Sequence, residues 1–139
     1  ANYNCPGQLV ISGEIKSVEK ACEILKDKGA RRALILPVSG AFHSELMSSA
    51  VNDLKKGIDE TKFTKPSYPI YQNFTGYPEQ EPAKIKTNLL SQLTGAVLWN
   101  QSINKMIKDG VKEFYEVGPS NTLQGLIRKT NREVIVDRI

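Results

Sequence analysis

The chain has 139 residues, 40% hydrophobic and 24% charged, with a formal charge of +4 from nineteen Lys and Arg against fifteen Asp and Glu. That length suits one domain or part of a larger one, with apolar residues enough for one core. The excess charge is too mild and scattered to mark a nucleic-acid binder, and no apolar run is long enough to cross a bilayer as a helix.

In chain order, Ala1 to Asn4 already reads as extended, with no initiator methionine, as if the chain begins in the middle of a fold. Cys5-Pro6-Gly7-Gln8 is a turn, and Leu9-Val10-Ile11-Ser12 a second strand, so a hairpin is expected. Ser17 is expected to cap a helix running through Lys28, with Val18, Ala21, Cys22 and Leu25 on its inner face and Gly29 as its stop. Cys5 and Cys22 lie in no CxxC and read as free thiols, which makes the cytoplasm the default location. Ala33 to Val38 is expected to be a strand. After His43, the recurrence of Leu46, Ala50, Leu54 and Ile58 predicts an amphipathic helix.

Residues 65–81 are rich in proline, and only Ile70 to Phe74 looks strand-like there. Pro82 suits the first turn of a helix that carries Ile85, Leu89, Leu90 and Leu93 inward. Thr94-Gly95-Ala96 interrupts it, and a further helix follows from Val97 to Lys108, ended by Asp109-Gly110. Glu113 to Val117 is a strand, Asn121 is placed to cap a helix reaching Asn131, and Glu133 to Val136 is the last strand. The alternation predicts an α/β fold with mostly parallel strands.

The chemistry concentrates at Pro37-Val38-Ser39-Gly40-Ala41-Phe42-His43-Ser44, where a strand, a bend and a helix start present the only histidine. Histidine is the first candidate for proton transfer near neutral pH, yet a lone one is more often a surface or satisfied core residue. No serine sits in a G-x-S-x-G turn, no carboxylate is nominated by spacing as a third triad member, and one histidine with two distant cysteines makes no metal site. The residues alone supply half of a catalytic site.

Four segments together resemble a family. Asn2-Tyr3-Asn4-Cys5-Pro6-Gly7-Gln8 is similar to the N-x-N-x-P-x-Q segment of malonyl-CoA–acyl carrier protein transacylases, and Pro37 to Met47 to their active-site histidine segment. Asn88 to Leu93 with Val97-Leu98-Trp99 resembles their Gln-Leu…Val-x-Trp segment, and Phe114 to Pro119 their Glu-Val-Gly-Pro turn. The four come in the family's order and spacing over essentially the whole chain.

The resemblance implies a serine that takes malonyl from CoA as an acyl-enzyme and passes it to the phosphopantetheine thiol of acyl carrier protein. His43 matches the general base, and Gln92 the residue whose backbone carbonyl orients the ring. Phe42, in an Ala-Phe-His ending similar to one that goes with malonyl over methylmalonyl choice in the related acyltransferase domains of polyketide synthases, matches a malonyl-selective position, and Asn2, Asn4 and Gln8 would lie near the pocket. No cofactor is implied beyond the substrates malonyl-CoA and the phosphopantetheine arm. The family's fold would make residues 1–38 the end of a small ferredoxin-like subdomain and 39–139 part of a large α/β-hydrolase-like subdomain. The G-H-S-x-G nucleophile, the malonyl-binding arginine and the oxyanion glutamine lie upstream in the family. This chain therefore resembles the C-terminal half, expected to be inactive without the N-terminal half as partner. The rival readings are an acyltransferase piece of a polyketide synthase and a non-catalytic module that docks acyl carrier protein through Lys28, Arg31, Arg32, Arg128, Lys129 and Arg132.

Overall fold

The computed structural model describes all 139 residues as an α/β fold built from three two-stranded sheets and five α-helices. Strand β1 (Asn2–Cys5) pairs antiparallel with β2 (Gln8–Val10). Pro6 sets the first corner and Gly7 takes φ +76°, a value the second needs and glycine adopts without a Cβ clash. Tyr3 pairs with Leu9 and Cys5 with Gln8, so Asn4 is the extra residue of a β-bulge.

Helix α1 (Ile15–Asp27) begins at Glu14, not at a Ser17 cap; Ser17 lies inside it and no side chain caps the end. Gly29 closes it in the left-handed region at φ +88°, with Ala30 N–H on the Leu25 carbonyl (2.8 Å) and Gly29 N–H on that of Lys26 (2.9 Å). Its expected inner face is only half covered: none of its residues is buried, and Leu25 is exposed.

Ala33 to Val38 forms no strand, contrary to its apolar pattern. A strand needs a hydrogen-bonded neighbour, and this run has none; a Val38 N–H bond to the Leu36 carbonyl (2.8 Å) turns the chain locally at Pro37. Leu34 and Val38 are 71% and 62% exposed. Past His43 the expected helix begins as a 3-10 helix (Glu45–Ala50) before becoming α2 (Val51–Glu60), of which only Ile58 is buried.

The proline-rich region shortens to a hairpin of β3 (Ile70–Tyr71) and β4 (Pro78–Glu79). Helix α3 (Pro82–Gln92) opens on Pro82 as expected. Helix α4 (Trp99–Lys108) ends on Gly110 with the same pair of C-terminal hydrogen bonds as α1. Strand β5 (Glu113–Glu116), helix α5 (Thr122–Thr130) and strand β6 (Ile135–Arg138) form a β-α-β unit, the one parallel sheet. The strands are thus not mostly parallel: short turns force β1–β2 and β3–β4 antiparallel, and only the crossover through α5 permits parallel pairing.

The Asn121 side chain makes no capping bond. The α5 N-terminus is held instead by Glu116, whose carboxylate accepts from the Leu123 and Gln124 N–H groups (3.2 and 3.0 Å) and the Ser120 hydroxyl (3.0 Å). The core lies between α4, α5 and β6, where Ile103, Ile127 and Val136 are buried among Trp99, Met106, Ile107, Phe114 and Val134. Strand β1 packs along α4 and α5, and a parallel bridge joins Asn2 to Val97. No helix is long and apolar enough to cross a membrane.

Candidate active site at His43

Residues 39–44 have little apolar cover and are held by hydrogen bonds. The Ser12 hydroxyl donates to the Phe42 carbonyl (2.6 Å), tying the bend to the end of the hairpin. The Ser44 hydroxyl donates to the Ala41 carbonyl (2.6 Å). Between them His43 has φ +60°, the only non-glycine residue in the left-handed region.

His43 Nδ1 lies 2.9 Å from the Gln92 carbonyl oxygen, across 49 residues of sequence. A carbonyl can only accept, so Nδ1 carries the proton, and Nε2 keeps a lone pair in the neutral ring. Gln92 ends α3, where the last carbonyls have no intrahelical donor and one is therefore free to meet the ring. Both cysteines are free thiols, Cys5 buried and Cys22 half-buried.

The turn after Gln92 is tightly built. The Gln92 side-chain Nε2 donates to the Gly95 and Ala96 carbonyls (2.9 and 3.2 Å), and Gly95 N–H donates to the Ser91 carbonyl (2.8 Å). Leu98 N–H then reaches the Asn73 carbonyl (2.7 Å), and Tyr3 N–H the Val97 carbonyl (2.9 Å). Buried Gln72 receives Asn88 Nδ2 (2.8 Å) and donates to the Ile85 carbonyl (3.1 Å), clasping α3 from its other side. A cavity of about 210 Å³ opens beside this corner, lined by Tyr71, Gln72, Asn73, Asn88, Leu89 and Gln92.

Among the residues singled out from the sequence, the structure joins His43 to Gln92. The Phe42 ring is half exposed and folds over Gly40, where a Cβ would lie 3.1 Å from it. Asn2 and Asn4 are half-buried on β1, and Gln8 accepts the Cys5 thiol (3.5 Å) within its own hairpin; none of the three bonds to His43. Sequence reasoning missed Ser12 and the packing of Gly95 on Phe74; for Gly95 the signal was the helix interruption at Thr94-Gly95-Ala96.

No family model matches the chain. A malonyl CoA-acyl carrier protein transacylase of Bacillus subtilis is 46% identical over 134 residues, which is 96% of this chain and 42% of the relative. A solved acyl-carrier-protein-S-malonyltransferase of Bartonella henselae superposes with a TM-score of 0.96 at 40% identity, covering 100% of this chain and 44% of that one. By sequence and by fold, the chain matches the C-terminal half of the malonyl CoA-acyl carrier protein transacylase family. It spans less than half the length of these transacylases. Another solved transacylase structure, a malonyl-transacylase in complex with a type II PKS acyl-carrier protein, aligns with a TM-score of 0.92 at 33% identity, over 99% of this chain and 44% of that one.

Proposed function

We propose that this chain is the histidine-bearing half of a malonyl-CoA–acyl carrier protein S-malonyltransferase of fatty acid synthesis. The observation that carries this reading is the His43 Nδ1 contact to the Gln92 carbonyl, which leaves Nε2 as the free proton acceptor. A serine from the upstream half loses its proton to Nε2 as its oxygen attacks the malonyl thioester. The tetrahedral intermediate collapses, the C–S bond breaks, and the CoA sulfur leaves with the proton now held on the imidazolium. In the second half-reaction Nε2 takes the proton of the carrier's phosphopantetheine thiol, whose sulfur displaces the serine oxygen, and the imidazolium returns a proton to it. Gln92 fixes the tautomer throughout without adding a charge.

Phe42 would exclude an α-methyl branch by bulk, and Asn2, Asn4 and Gln8 would line the approach to the pocket. The exposed run Leu34 to Val38 would be covered by the upstream half, in keeping with a boundary near residue 38 between a small and a large subdomain. Arg128, Lys129 and Arg132 surround a cavity of about 390 Å³, which suits contact with an acidic carrier protein. Arg128 is already partly engaged, donating to the Val136 carbonyl (2.7 Å).

The test is to supply the upstream half in trans and assay malonyl transfer to acyl carrier protein, with His43→Ala as control. Transfer is expected with the wild-type chain and is expected to fall by about 10²–10⁴-fold in the control. No transfer, or transfer indifferent to His43→Ala, would overturn the reading.

A further inference from the structure

The position of the Gln92 carbonyl is set by a steric joint that the reaction chemistry does not name. Gly95 lies so close to Phe74 that a Cβ there would sit 2.6 Å from Cε2 and 2.7 Å from Cδ2 of the ring, and 2.8 Å from the Ser91 carbonyl oxygen. Real Cβ atoms do not approach that closely, so any larger residue must push the turn, the ring or both. The turn in question is the one that begins at Gln92 and receives its side-chain amide at Gly95 and Ala96. That amide is committed to the turn at a cost. Its Oε1 is buried with no hydrogen-bond partner, so the residue forgoes an acceptor to make two donations. Phe74 is itself placed by its neighbours: Asn73 accepts from Leu98 N–H, and Thr75 and Gly76 N–H groups bond back to the Gln72 carbonyl (3.2 and 2.9 Å).

We infer that Phe74 and Gly95 form a positioning lock for His43. The ring packed on the bare Cα holds the 92–96 turn in the one arrangement that aims the Gln92 carbonyl at Nδ1. Neither residue touches reacting atoms; both act through Gln92. The inference deepens the proposed role of His43 and rests on it for its functional meaning, but its physical content is the imidazole tautomer.

His43 is the only histidine, so its two ring nitrogens can be read without assignment in the ¹⁵N spectrum of the labelled chain. The wild-type neutral ring is expected to be protonated at Nδ1. Gly95→Ala should lower the Nδ1–H to Nε2–H ratio about fivefold, the equivalent of one net hydrogen bond. Adding Phe74→Leu to Gly95→Ala removes the clash with the ring but not the 2.8 Å approach to the Ser91 carbonyl, and should recover the ratio part-way. Phe74→Leu alone, which keeps the fold's glycine and removes the ring's pressure, should lower it part-way. An unchanged ratio in a folded Gly95→Ala chain, or a double variant no better than the single, would overturn the lock. If Gly95→Ala does not fold, an unchanged ratio in Phe74→Leu overturns it alone. These outcomes are separable from those for the transferase: a wild-type ratio that responds as stated, in a chain that supports no transfer, sinks the enzyme reading and leaves the lock standing.

Discussion

Ile103 offers the sharpest test of where the core lies. It is 1% exposed on α4 and packs with Ile127 of α5 and Val136 of β6. Ile103→Ala removes three buried carbons, about 2.4 kcal/mol at ~0.8 kcal/mol each. Incomplete collapse over ~50 Å³ adds roughly 1 kcal/mol at ~24 cal/mol per Å³, for a total near 3.5 kcal/mol. With a urea slope of about 2 kcal/mol per M, the unfolding midpoint should fall by about 1.7 M. Ile103→Val removes one carbon and should lower it by about 0.5 M on the same reckoning. Ile15, 77% exposed at the start of α1, is the control: Ile15→Ala should move stability by no more than about 0.5 kcal/mol. Equal shifts for Ile103→Ala and Ile15→Ala would refute the placement of the core.

Two pH effects follow from the polar contacts. Burial alone would raise the Glu116 pKa, but the Gln124 and Leu123 N–H groups, Ser120 and Arg138 outweigh it and hold the carboxyl below its ordinary 4.5. Its stabilising effect is therefore present above about pH 4.5 and is lost as the pH falls through the lowered value, so Glu116→Gln should flatten the acid limb of a urea-midpoint profile; an unchanged limb would count against this cap. Tyr71 donates to Asp109 (2.6 Å), a bond that pushes the phenol up to about 12 from 10.0. Its contribution is present below pH 10 and lost as the pH rises through about 12, and in a phenolate absorbance titration Asp109→Ala should return Tyr71 towards 10.0; a late-titrating Tyr71 that persists in that variant would refute the assignment.

The parts of the fold that were legible in the sequence are those with local causes. Gly29 and Gly110 end helices because only a left-handed residue lets the following N–H groups reach back to orphan carbonyls. Pro82 opens α3 because its missing N–H is one the first turn does not use. What failed were readings that depend on a neighbour. Leu34 to Val38 has the composition of a strand, but strand character is completed by another strand, and no strand of this chain pairs with it. Asn121 is a good capping residue beside a better one: Glu116, five residues earlier, already satisfies the α5 N-terminus with two oxygens. At the site, the histidine could be picked from type and setting, while Gln92 entered only through the family resemblance. A backbone carbonyl acceptor leaves no signature in residue identity.

The strain at His43 shows why the site belongs to the whole chain and not to its motif. A non-glycine residue in the left-handed region costs roughly 1–2 kcal/mol. Three hydrogen bonds bracket it: Ser12 to the Phe42 carbonyl, Ser44 to the Ala41 carbonyl, and the ring to the Gln92 carbonyl. At roughly 0.5–1.5 kcal/mol each, the three together offset that cost. One partner is local, one comes from the end of the β1–β2 hairpin, and one from the C-terminus of α3. A glycine would take the same backbone at less cost but would have no ring to reach Gln92. The left-handed turn at His43 therefore persists because the hairpin, the bend and the α3–α4 corner agree on one place for its imidazole.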